Sequence, residues 1–451
     1  MRSTTVEVAA AEPGALELRA DLAAGRITAR ELVDTCLARI ALDEPRISAW
    51  AHLDPEHARA QADALDAARR AGRAEGPLFG LPVGVKDIVD TADFPTEHGS
   101  PIFRGRRPTR DAWLVRRLRA AGAVILGKTV TTEFAAFTPG PTRNPHDPAR
   151  TPGGSSSGSA AAVAAGMVPL AVGSQTNGSV VRPAAFCGVV GFKPSFGLIP
   201  RTGMLSQSPT LDHVGVFARD LPGAALLAEA LAGEDERDAA TRPSAAPRLV
   251  ASAGGPPPFT PRLALVWGPA GDRAAASTRE ALEEVRAVLG EACVDLELPA
   301  LFADALAVHR TIWTAEIAYR FGPLLDRHGA LVSPRFRELV LAGRTVGAVA
   351  YQEALAAREA MQAALRELFH EIDAFLTPAA PGEAPEGLDA TGDPAFCTLW
   401  TLCGTPALTL PALVGPAGLP LGLQLVADRG DDARLLAVAA WVEARLRAGE
   451  A

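Results

Sequence analysis

Between Thr151 and Pro194 the chain reads TPGGSSSGSAAAVAAGMVPLAVGSQTNGSVVRPAAFCGVVGFKP, with Gly and Ser clustered twice, at 153–159 and 173–179. A run of small apolar residues, 160–172, joins the clusters. Glycine lets backbone approach backbone or ligand closely and admits positive φ. Two such clusters around a buried connector suit loops that hold polar groups in fixed positions, as a catalytic site requires. A tightly packed core turn would have the same composition, so on spacing alone both readings stay open.

The chain has 451 residues, 48% of them hydrophobic and 21% charged, which is the composition of a globular protein with a large core. A formal net charge of -8 speaks against a nucleic-acid surface. The basic runs at 104–110 and 116–119 read as solvated faces. Five scattered cysteines without metal spacing point to a reducing, cytoplasmic setting. The opening MRSTTVEVAAAEPGALELRA has no basic segment leading into an apolar run and reads as mature sequence. The longest near-apolar run, 160–172, contains Gly166 and Pro169 and reads as core, not as a membrane span.

Arg supplies nearly all the positive charge, and the chain holds only three lysines, Lys86, Lys128 and Lys193. A lysine can lose its proton where an arginine cannot. Lys86 interrupts the apolar run FGLPVGVKDIVD, where burial would lower its pKa. The competing reading pairs it with Asp87 or Asp90 at a strand end.

Helical spacing of Leu16, Leu18 and Leu22, then Leu32, Cys36, Leu37 and Ile40, makes residues 11–73 a helical lead-in, with Thr28 and Glu31 as a capping box. Residues 78–220 form the core that carries the motifs, and Asp111 is expected to cap a helix running to Ala121. A helix from Ser155 to about Gly166 and a strand at 168–172 lead into the second Gly cluster. Residues 242–261, rich in Pro, Ala and Ser, read as a mobile linker, and 302–369 as a variable helical pocket wall. Residues 373–446 supply closing strands, at 373–378, 401–413 and 420–426, and a final helix. The motifs interleave along the chain without internal repeats, which argues for one large α/β domain with a mixed central sheet covered by helices.

Two motif matches mislead. Gly122 to Thr129 fits GxxxxGK[ST], yet the four residues between the glycines are apolar and strand-like, whereas a phosphate loop needs a flexible turn there. Gly154 to Gly158 fits GxSxG with Ser156 at its centre, but TRNPHDPART before it cannot be the buried strand that a nucleophile elbow follows. Cys187, in AAFCGVVGF, reads as core.

Taken together, Gly84-Val85-Lys86-Asp87, Gly153-Gly154-Ser155-Ser156, Thr176-Asn177-Gly178-Ser179, Arg182-Pro183-Ala184-Ala185-Phe186-Cys187-Gly188 and Gly191-Phe192-Lys193-Pro194 resemble the amidase signature family of Ser-Ser-Lys hydrolases. The resemblance is dense from about 80 to 215 and returns at 373–424. It implies Ser179 as nucleophile, Ser155 as bridge and Lys86 as base. The backbone N–H groups of Thr176, Asn177, Gly178 and Ser179 would form the oxyanion hole. It implies an acyl-enzyme route with no cofactor and no metal. Gln175, Asn177 and Val181 stand where the family more often has Asp, Gly and Arg, which puts any subfamily's substrate in doubt. The leading expectation is an amidase with a small-molecule amide substrate, no nucleic-acid partner and no membrane association, homo-oligomerisation being left open. The alternatives are a glutamine-hydrolysing A subunit of a tRNA-dependent amidotransferase and a catalytically silent binding protein on the same fold.

Overall fold

The protein is described from a computed structural model, which covers residues 13–73, 76–241, 247–255, 257 and 259–449. Helices α1 (Ala15–Ala24), α2 (Ala29–Ile47) and α3 (Pro55–Arg70) form the lead-in. The capping box at the start of α2 is present: the Thr28 hydroxyl accepts from Glu31 N, and the Glu31 carboxylate accepts from Thr28 N at 2.8 Å. The short strand β1 (Trp50–Leu53), which periodicity does not reveal, lies between α2 and α3.

The core follows as β2 (Pro82–Lys86), α4 (Trp113–Ala120), β3 (Val124–Thr129), α5 (Ser157–Ala164), β4 (Leu170–Gln175), α6 (Val181–Cys187), β5 (Val190–Lys193), β6 (His213–Ala218) and α7 (Leu221–Leu231). Asp111 does not cap α4. Its carboxylate accepts from Ala92 N at 2.8 Å and pairs with Arg119 at 3.0 Å, while Ala112 takes the cap position. Inside the expected linker a short helix forms, α8 (Leu249–Ala253), with Leu249 fully buried. Residues 242–246, 256 and 258 of that linker lie outside the described residues.

Beyond it come β7 (Leu263–Leu265), α9 (Ala276–Leu289), β8 (Cys293–Asp295), and the helices α10 (Ala305–His328), α11 (Pro334–Arg344) and α12 (Ala348–Phe369) over the expected pocket wall. The chain closes with β9 (Ala374–Pro378), α13 (Ala395–Cys403), β10 (Ala407–Val414), β11 (Pro420–Val426) and α14 (Asp432–Gly449). The strand expected from Thr401 begins only at Ala407, because 401–403 end α13 and Gly404, at φ 73°, turns the chain out of the helix.

The strands form one mixed 11-stranded sheet in the order β1-β3-β2-β4-β6-β5-β10-β11-β9-β7-β8. β2 is parallel to β3 and β4, and β7 is parallel to β8 and β9. Side chains alternate across a strand. Leu263 and Leu265, Ala374 and Leu376, and Leu423 and Leu425 therefore share one core with α7, α9 and α14. Ala264, Phe375 and Val426 enter another with α10, α11, α12 and α13. The fold is a single α/β domain whose sheet is buried on both faces. The C-terminal ends of the parallel neighbours β2 and β4, third and fourth in that order, lie side by side, and ligands of open α/β sheets bind outside the carboxyl ends of strands.

Helices α10 and α11 come into close backbone contact at Gly343, where a Cβ would lie 1.9 Å from the carbonyl oxygen of Thr314. Gly343→Ala should part the two helices and cost about 1–3 kcal/mol through overpacking, read as a lowered urea midpoint.

Candidate active site

Lys86 ends β2, wholly buried. Its Nζ lies 2.7 Å from Ser155 Oγ, 3.0 Å from Ser156 Oγ and 2.9 Å from Ser174 Oγ. Ser155 and Ser156 precede α5, and Ser174 belongs to β4, so three segments converge on one amine. No carboxylate joins them. Asp87 pairs instead with Lys128 at 3.2 Å, and Asp90 with Arg106 at 2.7 Å. Burial holds the Lys86 pKa well below the ordinary lysine range, opposed only through space by Asp212. A neutral amine donates two hydrogen bonds and accepts one. The Ser156 hydroxyl donates to Ser174 O at 3.2 Å, which leaves the Ser155 and Ser174 hydroxyls as those able to donate to a neutral Lys86.

The other two lysines are committed elsewhere. Lys128 Nζ lies within β3 and donates to Thr96 Oγ1 at 2.6 Å and Val89 O at 2.8 Å, besides Asp87; burial lowers its pKa to about 8. The residues around it are strand from Val124 to Thr129, which disposes of the phosphate-loop match. Lys193 donates to Thr405 O, and burial lowers its pKa to about 7. The elbow match fails as well: no strand precedes Ser156, whose hydroxyl is engaged with Lys86, Ser174 O and Ser174 N. Cys187 is buried core, its thiol pushed up by desolvation.

The second Gly cluster starts as strand: β4 runs through Gln175, and the loop proper is 176–180. Gln175 clamps that loop. Its Oε1 accepts from Val180 N at 2.7 Å and Val181 N at 3.0 Å, and its Nε2 donates to Thr401 Oγ1 at 2.9 Å. Thr401 donates to Asn177 O at 2.5 Å, and Thr398 to Asn177 Oδ1 at 2.7 Å. Thr176 is held from two sides: its hydroxyl donates to Asp212 at 2.7 Å, and its carbonyl accepts from His309 Nε2 at 2.8 Å. Arg182, in α6, ties this loop to the first cluster by donating to Gly154 O at 2.6 Å and Gly392 O at 3.0 Å.

The clamps leave a distinctive remainder. Among the described residues, the backbone N–H groups of Thr176, Asn177, Gly178 and Ser179 find no acceptor, although the loop is largely buried. Buried N–H groups are rarely left unpaired, and four in succession are donors available to a bound group. The Ser179 hydroxyl, 8% exposed, also has no hydrogen-bond partner among the described residues, Ser155 included. A cavity of about 330 Å3 opens onto Asn177, walled by Phe137, His309, Arg310, Trp313 and Thr398.

Of the residues singled out from the sequence, the structure joins Lys86 to Ser155 directly and starts the loop 176–179 two residues after Ser174, the third hydroxyl on Lys86. Sequence reasoning misses Ser174, Gln175 as a clamp, Asp212, His309, Thr398, Thr401 and Arg182. Thr398 and Thr401 lie three apart, one face of a helix, a signal hidden by reading 401 onward as strand.

A family model described as Amidase matches residues 31–436. The chain belongs to the amidase family. It is 37% identical to the A subunit of the glutamyl-tRNA(Gln) amidotransferase of Chloroflexus aggregans, over 92% of this chain and 93% of that one. Among solved structures, the peptide amidase of Stenotrophomonas maltophilia superposes with a TM-score of 0.83 at 32% identity, covering 97% of both chains. A structure from a vestigial protein complex bearing on the origins of an s-triazine catabolic enzyme superposes with a TM-score of 0.89 at 32% identity, covering 95% of this chain and 98% of that one. The amidase fold is thus shared across nearly the whole chain, and the protein is a hydrolase of linear amide C–N bonds. One expectation is overturned. A small-molecule amide as the whole of its partners, with no nucleic acid, does not fit relatives that are subunits of an enzyme named for glutamyl-tRNA(Gln). Net charge misleads here, because a global balance says nothing of what a partner chain brings. Among the described residues, no helix is long and apolar enough to cross a membrane.

Gln175→Leu should strand two buried N–H groups, of Val180 and Val181, at about 1–3 kcal/mol each. The urea midpoint of the variant should fall accordingly, and an unchanged midpoint would mean that the clamp carries no stability.

Proposed function

We propose that this amidase acts through Ser179 as nucleophile, Ser155 as proton bridge and Lys86 as base. The observation that carries the reading is the uncharged-partner setting of Lys86, with Ser155 Oγ at 2.7 Å. Ser179 Oγ attacks the amide carbon while its proton passes to Ser155 and that of Ser155 to Lys86. The carbonyl oxygen becomes an oxyanion on the N–H groups of the 176–179 loop, where each donor is worth about 3 kcal/mol in the transition state. Collapse breaks the C–N bond. The amine leaves with the proton returned from Lys86 through Ser155, and Ser179 is left as an ester. Water then attacks that ester, its proton passing through Ser155 to Lys86; the acyl C–O bond breaks, the acid leaves, and the proton returns to Ser179 Oγ.

The relatives favour glutamine as the amide: the protein would be the A subunit of a tRNA-dependent amidotransferase, releasing ammonia for a partner that acts on misacylated tRNA. Ranking this below a free-standing amidase gives too much weight to Gln175, Asn177 and Val181. Those residues still support a second reading, a free-standing amidase of the kind named among the solved structures. The five cysteines are all free and buried, which fits the cytoplasmic setting.

Glutaminase activity that appears or rises when partner chains are added supports the first substrate reading. Hydrolysis of peptide amides by the chain alone, with none of glutamine, supports the second. Ser179→Ala, Lys86→Ala and Lys86→Arg should each lower kcat by at least about a thousandfold on whichever amide is cut, since a guanidinium cannot serve as base. Full activity in Ser179→Ala would sink the mechanism.

The pH dependence follows from Lys86. Below its lowered pKa the amine is protonated and cannot accept from Ser155, so kcat/KM falls on the acid side. Asp212 raises that pKa. Asp212→Asn should therefore move the acid limb to lower pH, and a limb that stays in place would contradict the assignment of Lys86 to it.

A further inference from the structure

Three successive carbonyls of the 176–179 loop are held, and each shares a planar peptide group with one of the N–H groups left unpaired. Thr176 O accepts from His309 Nε2 at 2.8 Å, Asn177 O from Thr401 Oγ1 at 2.5 Å, and Gly178 O from Arg182 N at 3.0 Å. The peptide bonds between these residues are trans. In a trans peptide the C=O and the N–H that follows it point in opposite directions. Fixing the three oxygens on α10, α13 and α6 therefore fixes the direction of the Asn177, Gly178 and Ser179 N–H groups. A carbonyl that accepts a hydrogen bond also polarises its amide, which strengthens the N–H as a donor.

The His309 bond comes from α10, outside the stretches where the resemblance to the family is dense. That helix grips its surroundings along one face, with His309, Trp313 and Glu316 spaced four and three residues apart. Trp313 Nε1 donates to Gln207 Oε1 at 3.2 Å, and the Glu316 carboxylate accepts from the hydroxyls of Ser208 and Thr210. Asp212, at the end of the same stretch, accepts from Ser206 Oγ at 2.8 Å, Ser208 N at 3.0 Å and Thr176 Oγ1 at 2.7 Å. Thr176 is thus clasped twice from α10: at its carbonyl by His309, and at its hydroxyl by a loop that Trp313 and Glu316 hold. Burial lowers the His309 pKa to about 4, so the ring is neutral near neutral pH. Nε2 carries its proton, because it faces an oxygen that can only accept.

We propose that His309 is a positioning residue for the reaction: by holding Thr176 O it aims the Asn177 N–H at the oxyanion and keeps it there as charge develops. The inference rests on Ser179 as the reacting centre with its oxyanion on this loop. His309 acts through a peptide group, so its loss weakens stabilisation of the transition state and leaves the Lys86 relay in place.

The test is the rate at which a fluorophosphonate modifies the full chain. The Ser179 Oγ–P bond forms, the P–F bond breaks with loss of fluoride, and the Ser179 proton enters the relay, while the phosphoryl oxygen takes the place of the oxyanion. His309→Phe keeps an aromatic ring beside Trp313 and removes the donor. It should lower the maximal rate of labelling at Ser179 by at least about tenfold, with the half-saturating probe concentration little changed. His309→Gln, whose carboxamide can donate to Thr176 O, should recover part of that loss. The acid limb of the labelling rate should stay in place in both variants, since Lys86 is untouched. The rate constant is read from chains that do label, so misfolded chain does not enter it. An undiminished maximal rate in His309→Phe, a loss confined to the half-saturating concentration, a shifted acid limb, or equal losses in His309→Gln and His309→Phe would each overturn the proposal. Failure of the underlying reading has a separate signature, label mapped to a serine other than Ser179 in the wild-type chain.

Discussion

A lysine wholly buried without a counter-anion is the constraint from which the rest of this structure follows. Desolvating an ammonium costs several kcal/mol unless it is paired or gives up its proton. Lys86 has three hydroxyls around it and its neighbouring carboxylates turned away, Asp87 to Lys128 and Asp90 to Arg106. The arrangement favours the neutral amine, and a neutral amine is the only form of lysine that can accept a proton. Lys128, equally buried, shows the contrast: with Asp87 and Val89 O beside it, its pKa falls only to about 8.

To place hydroxyls around such an amine, the backbone must come close from three directions, and the glycines allow it. Gly153 sits at φ +79°, and a Cβ there would meet Pro183 Cα at 2.7 Å. Arg182 then fastens the Gly154 carbonyl to α6, so the segment leading into Ser155 and the helix that follows the 176–180 loop are held by one side chain. Asp212, His309, Thr398 and Thr401 take up side chains and carbonyls of that loop, and Gln175 takes the N–H groups of Val180 and Val181, so its first four N–H groups are spared. A loop fixed in this way presents its remaining donors without reorganisation, as the proposed oxyanion hole requires.

What can be read from residues alone divides along physical lines. The helices α2, α7 and α9 and the strand β11 are visible because periodicity and caps are local. The edge strand β1 is not, since four residues paired to β3 have too short a pattern. Lys86 stands out as one of three lysines in a chain that otherwise uses arginine. Ser174 does not, because its role depends on β4 lying parallel to β2, a register that no local pattern encodes. Gln175 is visible as a departure but not as a clamp, for its two acceptor bonds exist only once the loop has closed on it. Relationships across hundreds of residues, such as Thr401 with Asn177, belong to the tertiary fold.

In the proposed mechanism a neutral Lys86 activates Ser179. It is tested most directly by labelling the protein with a fluorophosphonate and mapping the modified serine by peptide mass spectrometry, an experiment that needs no knowledge of the substrate. Label is expected on Ser179 in the wild-type chain and none in Lys86→Ala. Label on Ser156, or label on Ser179 that persists undiminished without Lys86, would contradict it.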